Sequence, residues 1–170
     1  MATDAWARYQ LLEKIFSIGE DFWIENERGE QQYKVDGKAL SLRHTFVLED
    51  ANGTELLTAE SKLLSFQPTM NIERQGQPYA TITKALFTFF HQSYSIEVVG
   101  GAVYNVEGDI TNHEYAVDSQ GTPVAQISRR WFSIRDSYGI AIAPGVDVPL
   151  LLASAVCIDE IAERERERNR

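Results

Sequence analysis

A chain of 170 residues that is 44% hydrophobic, 11% aromatic and 24% charged reads as one soluble globular domain with a sizeable core. That composition excludes disorder, low complexity and fibrous repeats. The net charge of −9 speaks against a nucleic-acid binder, and the single cysteine, Cys157, excludes an internal disulfide or a cysteine-built zinc cluster.

The first residues, Met1 to Arg8, carry no basic segment followed by an apolar run. They do not read as a signal peptide, so the expected location is cytoplasmic or peripheral at the membrane. From there the chain reads as short strands broken by turn signals. The spacing predicts strands over Tyr9–Ile18, Asp21–Glu27, Gln31–Val35, Thr45–Asp50, Glu55–Lys62 and Thr69–Arg74. A second set follows over Pro78–Leu86, Ser93–Val99, Ala102–Val106, His113–Asp118, Pro123–Ile134 and Ser137–Ala143. Between them sit glycine turns, including Asn52-Gly53, Gln75-Gly76, Glu107-Gly108-Asp109 and Gln120-Gly121. Asn52-Gly53-Thr54 also matches a glycosylation sequon, but a hairpin turn is the better reading. Turn signals about every ten residues, with no helix between them, indicate antiparallel pairing in a sandwich or barrel.

From Asp147 the pattern changes. Asp147 is suited to cap a helix, and Pro149 is tolerated in a first turn. Leu150, Leu151, Leu152 and Ala153 fall on successive steps of about 100°, so the helix is apolar all round and must be enclosed. The apolar run is too short to span a bilayer, which takes about 20 residues. From Asp159 the helix is expected to turn polar. The alternating charges from Glu163 to Arg170 read as a solvated, fraying end.

An internal echo runs through the strands. Tyr33-Lys-Val-Asp-Gly37, Gly53-Thr54 and Lys62 are matched by Tyr104-Asn-Val-Glu-Gly108, Gly121-Thr122 and Arg130. Two copies of one unit would build a pseudo-symmetric β shell.

These hairpins, their second round, and the terminal Asp147-Val-Pro-Leu-Leu-Leu-Ala-Ser-Ala-Val-Cys-Ile-Asp-Glu160 together resemble the LURP-one-related family. That family belongs to the tubby C-terminal-like group, with the phospholipid scramblases. The likeness covers the chain from about Tyr9 to Ala162. It implies a mainly β fold: a closed antiparallel β-barrel of about twelve strands around a central hydrophobic C-terminal α-helix. The expected boundaries are one domain over 1–170, with the barrel at about 9–143, the helix at about 147–164 and a frayed tail at 165–170. The resemblance brings no family-wide catalytic residues.

The residues themselves show no nucleotide-binding, zinc-protease or serine-hydrolase motif. His44, His91 and His113 lie far apart and read as surface or turn histidines. Cys157, inside the apolar helix, reads as an inert buried thiol. Acidic groups such as Glu25, Glu27 and Glu30 read as solvated turns, without a calcium-loop pattern. Trp23, Trp131, Phe22, Phe46, Phe66, Phe87 and Phe132 fit a barrel wall packed on the helix. The run from Leu86 to Phe90 reads as core, with a bulged strand or an exposed loop that dips into a bilayer or partner as the alternatives.

The basic residues are few, and three stand out. Arg129-Arg130 precede Trp131-Phe132, and Lys62 occupies the position equivalent to Arg130. Basic side chains beside large apolar ones suit an anionic lipid headgroup. Arg129 and Arg130 would point to opposite faces of a regular strand, and could share a ligand only at a bulge. The expectation is a non-catalytic binding or scaffold module with no cofactor and no metal. Its partner would be a phosphoinositide, another anionic lipid or a protein. The alternative is a scramblase-like role for the C-terminal helix, and an enzyme is least expected.

Overall fold

Phe46 and Leu48, Leu57 and Ala59, Met70 and Ile72, and Tyr94 and Ile96 each stand two residues apart, and all are buried. A period of two puts each pair on one face of its strand. That face can be covered everywhere only if the sheet curls round a filling. The computed structural model shows this arrangement and describes residues 5–12, 21–36, 44–62, 66–86, 92–132 and 137–170.

The described strands are β1 (Ala7–Leu12), β2 (Phe22–Asn26), β3 (Gln31–Val35), β4 (Thr45–Asp50), β5 (Glu55–Ser61) and β6 (Thr69–Arg74). They continue as β7 (Gln77–Lys84), β8 (Gln92–Val98), β9 (Val103–Asp109), β10 (Glu114–Ser119), β11 (Thr122–Ser128) and β12 (Ser137–Ile142). Each pairs antiparallel with the next, and β12 returns to β1 with Ala7 opposite Ile142 and Leu12 opposite Ser137. The result is a closed barrel. Helix α1 (Val148–Arg168) runs through it. At 1.5 Å per residue α1 is about 31 Å long, and its residues from Leu150 to Ala162 are all buried.

Alternation of direction gives the barrel two distinct rims. Even strands finish and odd strands begin at the entry rim, where α1 starts. Odd strands finish and even strands begin at the exit rim, where α1 emerges. The start of α1 is held at the entry rim by Asp147, whose carboxylate accepts from the Leu150 N–H at 3.2 Å. The same side chain accepts from Arg74 Nη2 at 2.9 Å and from the Tyr79 hydroxyl. The Arg74 guanidinium lies 3.9 Å over the Tyr79 ring. The expected cap is therefore also an anchor to β6 and β7.

The internal echo maps onto the ring: β3, β4 and β5 stand six strands from β9, β10 and β11. In a closed ring of twelve, that is half a revolution.

Several expectations are corrected. The long strand predicted through Ile134 ends at Ser128, because the Ser128 hydroxyl accepts from the Arg130 N–H at 3.1 Å and starts a short 3-10 turn at Arg129–Trp131. Gly108 is not a turn residue but lies inside β9, opposite Tyr115. α1 does not fray at residue 165 but continues to Arg168, tied by Lys84 to Glu165 and by Arg166 to Glu163. It turns polar at Asp159 as expected, yet Asp159 and Glu160 remain buried. Trp23 alternates with buried Phe22 and Ile24 and so faces outward. Trp131 and Phe132 also lie outside the wall, over Gly139 of β12, and Arg8 stacks on Trp131 at 4.9 Å. Phe66 is not core but 94% exposed. Residues 13–18 of the first predicted strand, Gly37, 87–90 of the apolar run, His91 and Arg135 lie outside the described residues.

Candidate functional site

Lys62 follows the last residue of β5, at the exit rim. Its N–H donates to the Thr69 carbonyl at 3.0 Å, extending the β5–β6 ladder by one rung. The Lys62 side chain therefore leaves the sheet beside the emerging helix. Arg164 and Arg168, four residues apart on α1, share one helix face with this position. Lys62, Phe66, Thr69, Ile161, Arg164 and Arg168 line a cleft of about 150 Å³. Arg164 is fixed there, donating through Nη1 to Ser61 Oγ and lying with Nε 3.8 Å from Glu160 Oε1. The structure gives the Lys62 and Arg168 side chains no carboxylate partner among the described residues.

Arg129 and Arg130 lie at the same rim on the far side. They follow β11, and β5 and β11 are six strands apart. A twelve-strand ring is roughly 20–25 Å across at usual strand spacing and tilt. The three basic residues singled out in the sequence are therefore not one patch. Arg130 is 84% exposed in its side chain and lies 3.8 Å from Glu114. Arg129 donates through its N–H to Glu114 Oε1 at 3.1 Å and approaches His113 Nδ1 with Nη2 at 3.4 Å. No bulge brings the two together. The 3-10 turn places them, and Glu114 holds both.

Beneath the rim are two histidine–carboxylate pairs. His113 Nε2 lies 3.0 Å from Asp159 Oδ1, and the Tyr138 hydroxyl donates to Asp159 Oδ2 at 2.6 Å. The His113 and Tyr138 rings stack at 4.2 Å. A proton on Nε2 satisfies both the contact to Asp159 and that from Arg129. His113 is thus a buried linker, contrary to the surface reading. His44 Nδ1 lies 2.5 Å from Glu160 Oε1. Burial raises the Glu160 carboxyl above its usual range, and His44 and Arg164 oppose that shift. Burial also pushes the Cys157 thiol up, in keeping with an unreactive thiol. Among the described residues no cluster of three or more His, Cys, Asp or Glu side chains is arranged to hold a metal ion.

The cleft is only partly legible in the sequence. Lys62 stands out there, but Arg164 and Arg168 read as a solvated tail and Phe66 as core. The i, i+4 spacing of the two arginines beside buried Ile161 is the available signal.

No helix among the described residues is long and apolar enough to cross a membrane. The chain shares its fold with an Arabidopsis thaliana protein solved by X-ray crystallography. That match has a TM-score of 0.66 at 19% identity, covering 93% of this chain and 91% of the other. It is 27% identical over 157 residues to the uncharacterised protein YxjI of Bacillus subtilis (strain 168), covering 92% of this chain and 94% of that one. The family model described as LURP-one-related matches residues 8–159. With nearly every strand and most of the enclosed helix inside that match, the chain belongs to the LURP-one-related family.

Proposed function

We propose that this protein is a non-catalytic binding module that takes a phosphate-bearing lipid headgroup in the exit-rim cleft. The observation that carries the reading is the convergence of Lys62, Arg164 and Arg168 on one cleft beside exposed Phe66. Arginine offers planar paired donors and lysine a mobile point charge, and both suit phosphate oxygens. The His113–Asp159 pair points away from catalysis, because His113, Asp159 and Tyr138 are enclosed and satisfy one another. The enclosed helix gives no support to a role in which it leaves the barrel.

Flotation with neutral, phosphatidylserine-rich and phosphoinositide-containing vesicles tests the reading, at low and near-physiological salt. Binding to the anionic vesicles is expected. A Lys62→Gln/Arg168→Gln double variant should weaken it about thirty-fold, since each surface cation contributes about 1 kcal/mol. No flotation under any condition would overturn the reading and move the search to protein partners.

A further inference from the structure

The charge of −9 is not evenly spread along the barrel axis. The turns of the entry rim carry Glu27, Glu30, Asp50, Glu55 and Asp118 against Arg28 and Arg74, and Arg74 is committed to Asp147. At the exit rim the acids of α1 are largely engaged. Glu160 meets His44 and Arg164, Glu163 meets Arg166, and Glu165 meets Lys84. Lys62 and Arg168 remain available there. The strand ends of that rim also carry Asp21, Asp36, Glu60, Asp109 and Glu114, of which Asp21 meets Lys34 and Glu114 meets Arg130. The exit rim is therefore near balance in charge and offers cations at Lys62 and Arg168, whereas the entry rim is acidic.

The same rim carries exposed apolar side chains beside the cleft. Phe66 is 94% exposed and Leu86 37%. Their segments are joined, since the Lys84 N–H donates to the Pro68 carbonyl at 3.0 Å and Gln67 Nε2 donates to the Lys84 carbonyl at 3.5 Å. An aromatic and a leucine beside a cationic cleft match the layered chemistry of an anionic bilayer: phosphates outside, hydrocarbon just below. A free anion would have use for the cations but none for the apolar pair.

Resting on the headgroup reading above, we propose that the barrel docks end-on onto an anionic membrane. The exit rim faces the bilayer, Phe66 and Leu86 enter its interfacial layer, and the acidic entry rim points away. The docking surface is the rim rather than the barrel wall. The helix axis then stands across the membrane plane without the helix entering it.

Site-directed spin labelling of the full chain tests this. Cys157 is buried, so an introduced surface cysteine is the one that reacts in the native protein. Phe66→Cys and Val99→Cys place labels at opposite rims. On adding vesicles of phosphatidylcholine and phosphatidylserine in a three-to-one ratio, the label at 66 should gain oxygen contact and lose contact with a nickel chelate. The label at 99 should not change. In parallel, a Phe66→Ser/Leu86→Ser variant should lose about tenfold or more in vesicle partitioning. It should still show the wild-type shifts of the Lys62 and Thr69 amide resonances with soluble inositol trisphosphate.

If inositol trisphosphate shifts those resonances but the label at 66 stays in water, end-on docking fails and the headgroup reading stands. If inositol trisphosphate shifts nothing and vesicles do not bind, both fail. Immersion of the label at 99 would overturn the orientation. Burial of the label at 66 that depends on protein concentration without vesicles would assign the patch to a second copy of the chain and overturn the proposal.

Discussion

His44 and His113 occupy matching places in the two halves of the barrel. Each directly precedes a strand, β4 or β10, six strands apart in the ring. Both have a left-handed backbone at φ 53°. Each reaches inward to a carboxylate on consecutive residues of α1, Glu160 for His44 and Asp159 for His113. The two repeats thus grip the single helix from both sides at one level, just below the exit rim. A symmetric shell has adapted to an asymmetric filling by meeting neighbouring acids.

Glu160 makes one half of this grip dependent on pH. Burial raises its carboxyl above the ordinary value of 4.5. As pH rises past that value, the unfolded chain ionises first. The stability present in acid is therefore lost as pH climbs through the native value. Glu160→Gln lacks this titration. Urea unfolding at about pH 4 to 6 should show the wild type losing ground to the variant as pH rises. The loss should approach about 1.4 kcal/mol for each pH unit between the unfolded and native values. A stability gap that does not vary with pH would contradict this.

The other half of the grip is a test of paired against unpaired hydroxyls. Asp159→Ala leaves buried His113 and Tyr138 without their shared acceptor and should cost about 3–5 kcal/mol. Tyr138→Phe removes one hydrogen bond to a charged group and should cost about 1.5–3 kcal/mol. Tyr94 and Tyr115 are also buried, but their hydroxyls have no hydrogen-bond partner among the described residues. Tyr94→Phe and Tyr115→Phe should therefore be neutral or stabilising in the same denaturation assay. Equal losses for all three tyrosines would show that the pairing at Asp159 contributes nothing.

Gly108 is expected to be intolerant of a side chain. Its φ is +141°, and an added Cβ would stand 2.7 Å from the Glu114 carbonyl oxygen and from Tyr115 Cα. Both obstacles are backbone. Gly108→Ala should cost about 1–3 kcal/mol or more in thermal or urea unfolding. Gly29→Ala, where φ is +75° with nothing within 4 Å, should cost less.

Ala153 is fully buried in the middle of the enclosed part of α1. Ala153→Glu would place a charge there with no partner, and the chain should fail to fold. A soluble variant with wild-type circular dichroism and a cooperative melt would show that the helix is not enclosed in solution.

Arg130 separates the rim cleft from the rest of the rim. Its side chain is 84% exposed, on the opposite side of the ring from Lys62. Arg130→Gln should leave the affinity for soluble inositol trisphosphate, read from the Lys62 and Thr69 amide shifts, within about twofold of wild type, because the cleft lies across the ring and Arg130 already meets Glu114. A loss as large as that from Lys62→Gln would mean that both sides of the rim touch the ligand.

The strands and the buried helix are legible because each is a local pattern. Tyr94 and Ile96 alternate, and Leu150 to Ala153 leave no polar face. The site is not, because closure of the ring decides which side chains meet. Lys62 and Arg130 look equivalent in the repeat, yet the repeat is what sets them on opposite sides. Arg164 and Arg168 sit in an alternating-charge run that gives no hint of Ser61 or Lys62 beside it. Asp159 and Glu160 look like the start of a solvated surface, because their histidine partners lie 46 and 116 residues away.

The enclosed helix also fixes the order in which the molecule can be made. The inner faces of all twelve strands wait for residues 150–162, and β1 waits for β12 to close the ring. During synthesis nearly the whole β portion must emerge from the ribosome before its filling exists. Its inward apolar residues and open strand edges are exposed to chaperones and to one another in that interval. Closure of the barrel around its filling therefore comes late, once the last core segment has cleared the exit tunnel. A chain cut short just after β12 would have its strands written and nothing to wrap around.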